Sequence, residues 1–120
     1  MPFSKRIHTI SAALMICSLF FACSKKNDDG GSSQDCSGTT NKAFAADVNP
    51  LIQTFCNQSF CHSAGSTNGP GPLTNFTEIF NARVRIRGQV QAGLMPQNTT
   101  LTAAQKNSII CWIDAGAPNN

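Results

Sequence analysis

Cys56 and Cys61 stand five positions apart in the stretch CNQSFCHS, and His62 follows the second cysteine directly. Two thiols on one short segment can add to the two vinyl groups of a haem and bring the adjacent imidazole beneath the iron. The same pair can instead close a short disulfide loop, with His62 a bystander. The usual attachment motif has two residues between its cysteines. Here Asn57, Gln58, Ser59 and Phe60 intervene, so two extra residues have to bulge out of the turn. Beyond residue 22 the chain has one histidine, His62, and one methionine, Met95, 33 positions later. An imidazole and a thioether are the axial pair of a His/Met-ligated c-type haem. With Met95 in the sixth position and no second histidine, a haem enzyme is disfavoured. No paired carboxylates or nucleophile–base motif suggests another chemistry, so the expectation is an electron carrier and not an enzyme.

The elements that must position these residues are few. Lys5, Arg6 and His8 precede an apolar run, residues 10–22, of 13 residues. That is shorter than the roughly 18 to 20 needed to span a bilayer, and it reads as an export signal. The run ends FFAC, a relaxed form of a bacterial lipoprotein box, which makes Cys23 the lipidation site and residues 1–22 the signal peptide. Residues 23–40 open with SKKNDDGGSSQD after Cys23, polar and rich in Gly and Ser, and read as a flexible tether. The folded domain is expected over residues 41–120. From Cys23 onward seven basic residues face six acidic ones, a net charge of +1 that calls for no nucleic acid. A unit of about 80 residues buries only about 60% of its unfolded surface, so a disulfide, metal or large cofactor is expected to support it.

Three helices are predicted and no convincing strand, giving an all-α domain with long loops. Phe44, Val48, Leu51, Ile52 and Phe55 share one helical face. Pro50 means either that Asn49 caps a short helix with Pro50 in its first turn, or that a longer helix kinks there. The Gly- and Pro-rich residues 63–74 form a loop. Asn75 and Glu78 have capping-box spacing ahead of Phe76, Ile79, Phe80 and Val84, in a helix expected to end before Gly88. Thr102 and Gln105 repeat the box before a stripe of Ala103, Lys106, Ile110 and Ile113, flanked by Ile109 and Trp112 and stopped by Gly116 and Pro118. The nearest approach to a strand is ARVRIRGQV.

Cys56, Cys61 and His62, the Met95-Pro96 pair and the ending CWIDAGAPNN together resemble the small cytochrome c-like domains of Bacteroidetes lipoproteins, over residues 44–120. The resemblance implies a cytochrome c-like fold, one covalent haem c on Cys56 and Cys61, His62 and Met95 on the iron, and electron transfer. It implies redox partner proteins and an outer-membrane lipoprotein on the periplasmic or cell-surface side.

Around the ligands, a haem histidine usually donates its free ring N–H to a carbonyl. Pro70 or Pro72 could offer one, or could merely stiffen the loop. Trp112 and the face of Ile110 and Ile113 could wall the haem, fill the core, or both. Arg83, Arg85 and Arg87 are either a solvated face or a propionate or docking patch. With Cys17 in the signal and Cys23 lipidated, haem on Cys56 and Cys61 leaves Cys36 and Cys111 to pair. Without haem, the four cysteines allow three connectivities. The alternative function is therefore a haem-free, disulfide-stapled structural or binding lipoprotein.

Overall fold

The computed structural model describes residues 34–120; the expected signal peptide, Cys23 and the first part of the expected tether lie outside the described residues. Three helical segments and no strand are present among them. The first segment opens as a π-helical turn, Phe44–Val48, and runs on as α1, Asn49–Phe55; α2 is Phe76–Gln91 and α3 is Ala103–Asp114. None is long and apolar enough to cross a membrane.

Pro50 is accommodated within a continuous segment. A proline has no N–H, and its ring displaces the carbonyl four residues back, so an ordinary α-turn cannot pass through it unchanged. The wider turn before it solves the problem: Val48 N–H bonds Ala43 O at 3.1 Å, and Asn49 N–H bonds Phe44 O, each five residues back. The segment's free N–H groups at its start are met by the other end of the chain. Asn120 accepts from Phe44 N–H through its side chain and from Ala45 N–H through its main chain, both at 2.8 Å.

The predicted face of α2 is rotated from its true one. Ile79, Ala82, Ile86 and Val90 are buried, while Val84 is 72% exposed. The helix also continues through Gly88 for three more residues, because a helical glycine costs only about 1 kcal/mol against alanine and burying Val90 outweighs it. The stretch read as nearest to a strand is therefore all helix. The Asn75 cap is half of the expected box: Asn75 Oδ1 accepts from Glu78 N–H, but the Glu78 carboxylate turns to Thr74 N–H at 2.8 Å and Thr74 Oγ1 at 2.7 Å. On α3 the full Thr102/Gln105 box forms. Its buried face centres on Ile109 and Trp112, with Ala103 exposed.

Trp112 is completely buried and meets the rings of Phe44 at 5.4 Å and Phe76 at 6.5 Å between centroids, so one side chain joins all three helices. Its Nε1–H donates to Pro118 O at 2.9 Å. That carbonyl is in place because α3 ends in a Schellman turn. Gly116, at φ +95°, lets its own N–H reach Ile113 O and Ala117 N–H reach Trp112 O. Trp112 thus fills the core.

Cys36 and Cys111 form a disulfide with Cα atoms 5.6 Å apart, spanning 75 positions. Cys36 falls within the expected tether, so that segment is attached to α3 before the first helix begins. A bridge closing so long a loop contributes about 3 to 5 kcal/mol by restricting the unfolded chain. Cys36→Ser and Cys111→Ser should each lower unfolding free energy by about 2 to 5 kcal/mol in denaturant titrations, and the double variant should lose little more than either alone, since one bridge is lost once.

Candidate functional site

The segment after α1 is organised by side chains. Gln58 folds back so that its Nε2 donates to Thr54 O at 2.6 Å and Gln53 O at 3.3 Å, capping the helix's last carbonyls. His62 N–H returns to Cys56 O at 3.3 Å, which closes the loop between the cysteines. The surplus residues project outward, as the spacing requires: Ser59 is exposed, and Phe60 is 98% exposed with a left-handed φ of +67°. Such a conformation in a bulky residue is held by its surroundings. Asn68 Nδ2 donates to Phe60 O at 2.8 Å and Cys61 O at 3.1 Å, and Ser66 Oγ donates to Cys61 O at 2.5 Å.

His62 is 7% exposed and its Nδ1 lies 2.9 Å from Gly71 O. A carbonyl only accepts, so Nδ1 carries a proton, and in the neutral ring the lone pair lies on Nε2. The acceptor is the residue between the two candidate prolines, and neither Pro70 nor Pro72 offers it. The reason is conformational: this turn needs φ +102° at its centre, which glycine adopts and proline cannot. Leu73 N–H bonds His62 O at 2.9 Å, and Gln53 Nε2 holds Leu73 O at 3.2 Å, so the loop is hung on the histidine and on α1 together. Nε2 has no partner among the described residues, and no fully buried side-chain nitrogen is left unpaired, so Nε2 is accessible.

Met95 follows α2 closely. Leu94 and Met95 N–H groups both bond Gln89 O, at 3.0 and 3.3 Å, which folds the chain back across the end of the helix. Cys56, Cys61, His62 and Met95 consequently line one cavity of about 860 Å³. That volume is within the range of about 300 to 1,000 Å³ typical of sites for small molecules and cofactors. The opposite wall is α2, including the exposed Val84 and Gly88. Trp112, Ile110 and Ile113 are not among the lining residues, so of the two roles open to them the structure gives them the core.

Gly88 has a further property. A Cβ built there meets nothing within 4 Å, so this turn of α2 presents bare backbone to open cavity. None of the described residues occupies the space that the missing side chain leaves.

The three arginines part company. Arg83 Nη1 bonds Phe80 O at 2.7 Å and its guanidinium lies 3.9 Å from the Phe80 ring centroid. Arg87 forms a two-point bridge to Asp114, at 2.6 and 3.0 Å, tying α2 to α3. Arg85 is exposed and lines the cavity.

Cys56 and Cys61 are free thiols. Burial, with a smaller contribution from Cys61 nearby, pushes the Cys56 thiol up from 9.0 to about 11. Among the described residues no group of three or more His, Cys, Asp or Glu side chains could hold a bare metal ion. No protein-family model, curated protein or solved structure matches the chain.

Sequence reasoning missed Gln53, Gln58, Ser66, Asn68 and Gly88, which support or shape this site. Their one signal was the density of amide and hydroxyl residues around the cysteines.

The two thiols should behave differently in the cofactor-free protein. Alkylation at pH 8, followed by peptide mass analysis, should modify the half-exposed Cys61 first, with Cys56 catching up only as the pH nears 11 or on unfolding. Equal rates at pH 8 would contradict the buried position of Cys56.

Proposed function

We propose that this chain is a monohaem c-type cytochrome-like lipoprotein that passes single electrons between redox partner proteins at the cell envelope. The observation that supports it is the convergence of Cys56, Cys61, His62 and Met95 on one cavity, from two loops separated by the whole of α2. Cys56, Cys61 and His62 are not grouped closely enough to hold a bare ion, which leaves one imidazole and one thioether as the donors for a metal. They suit a group that brings its own equatorial nitrogens and needs only two axial ligands.

Each residue has a role in this reading. The thiols of Cys56 and Cys61 each add S–H across one vinyl C=C, so that a C–S bond forms and no atom leaves. His62, oriented by Gly71 O, would hold the iron through Nε2. Met95 supplies a soft sulfur from the opposite loop. Bare backbone at Gly88 lets a flat ring lie close against α2. The haem, once bound, supplies the one-electron couple; this chain's residues hold it, tune it and exclude water. Cys23, outside the described residues, anchors the protein by lipid at the outer membrane, facing the periplasm or the cell surface.

In the haem-free alternative, disulfides take the place of the cofactor. The Cys36–Cys111 bridge suits both readings, but Cys56 and Cys61 stand unpaired. The cavity would serve the binding form of that alternative, not the purely structural one.

The test is a pyridine haemochrome spectrum of the mature protein made in a host that matures c-type cytochromes. A covalent haem band is expected, His62→Ala should abolish or cripple incorporation, and Met95→Ala should keep the band. The Met95 variant should lose the weak sulfur-to-iron absorption at the red end of the oxidised spectrum, have a lower potential and bind carbon monoxide. Soluble, folded protein without covalent haem would sink the proposal.

Gly88 gives an independent check. Gly88→Ala should stabilise the cofactor-free protein by about 0.5 to 1 kcal/mol, because alanine favours helix and meets no obstacle. Gly88→Leu should also fold, yet should load much less haem because its side chain occupies the cavity. Normal loading of the leucine variant would place the cofactor away from α2.

A further inference from the structure

We infer that Arg85 is the anion anchor of the cavity and selects an occupant whose apolar, planar body carries a carboxylate. The inference rests on the proposed function and names the group in this chain that recognises the acidic edge of the ligand.

Among the described residues, Arg85 is the one lining the cavity that carries a permanent charge. It has no hydrogen bond or ion pair among the described residues, whereas its two neighbours in the arginine series are engaged with Phe80 and with Asp114. The nearby carboxylate forms no ion pair with it. Glu78 shares a smaller cleft with Arg85 beside Pro70, but its Oε2 is taken by two bonds from Thr74. An uncompensated guanidinium at the edge of a largely apolar hollow favours a ligand that fills the hollow and brings its own negative charge to the rim. The planar fork of arginine matches a carboxylate in two-point fashion, where a lysine offers only a point charge.

Its place on the helix completes the argument. Arg85 and Gly88 are three residues apart on α2, so they are neighbours on one strip of its surface. A ring lying against the bare backbone at Gly88 has Arg85 one turn away. A tetrapyrrole with carboxylate side chains has that combination of flat apolar body and charged edge.

The probe is mesoporphyrin, an iron-free porphyrin diacid without vinyl groups, compared with its dimethyl ester. Neither can be attached through Cys56 and Cys61 or be ligated by His62. Binding to the cofactor-free full chain is followed by quenching of its single tryptophan, Trp112. The diacid is expected to bind about tenfold more tightly than the ester. Arg85→Gln should remove that difference, Arg85→Lys should keep part of it, and Arg83→Gln should leave it intact. Equal affinity for the two probes in the unaltered chain, or a preference that survives Arg85→Gln, overturns the anchor. So does failure of the chain to bind either probe, because Arg85 would then add too little to hold a diacid. The haem reading itself is decided separately, by the haemochrome spectrum.

Discussion

Trp112 is the constraint on which the other parts depend. Its ring is shared by the π-turn that opens the first segment, by the start of α2 and by α3 itself, and its one polar atom is satisfied by the chain turning back after Gly116. Burying an indole of this size accounts for a large part of the apolar surface that so small a core can remove from water. Because the same turn delivers Asn120 to the N–H groups of Phe44 and Ala45, the core and the end-to-end closure of the chain are one arrangement. The two loops that line the cavity give Cys56, Leu73 and Leu101 to this core, while His62 and Met95 stand outside it.

That separation explains how an irregular site is held. The loop from Cys56 to Leu73 contains no regular element, yet its backbone groups are met by amide and hydroxyl side chains at nearly every turn. Asn49, Gln53 and Asn57 form a hydrogen-bonded ladder along α1, and Gln53 extends it to Leu73 O, one residue pair from His62. The histidine is thus oriented from its ring, through Gly71, and from its main chain, through Leu73. Buried polar networks fully satisfied in this way favour a single geometry.

How far the sequence could be read follows from what each residue reports. The three helices announced themselves through periodicity, and the Thr102/Gln105 box and the Gly116 stop through local chemistry that tertiary contacts do not alter. The face of α2 was misread because the helix has two apolar aspects, one towards the core through Ile79, Ala82, Ile86 and Val90, the other towards the cavity through Val84. A cavity wall and a core have the same apolar signature in one dimension. Gly88 looked like a stop for a related reason, since an absent side chain facing open space is indistinguishable in sequence from one ending a helix. Cys56, Cys61, His62 and Met95 could be singled out from residue type and spacing, and the structure places all four on one cavity. The carbonyl that orients His62 was off by one residue, because choosing between adjacent positions of a turn requires its dihedral angles.

The Cys36–Cys111 bridge also sets how the domain responds to mechanical load. A pull along the chain that precedes Cys36 does not peel away residues 37–43 and then unzip the first helix from its end. It is delivered through the two sulfurs to the last turn of α3, next to Trp112, within a run of four residues that are almost wholly buried. Force enters the core directly, and the segment between the bridge and Phe44 lies outside its path.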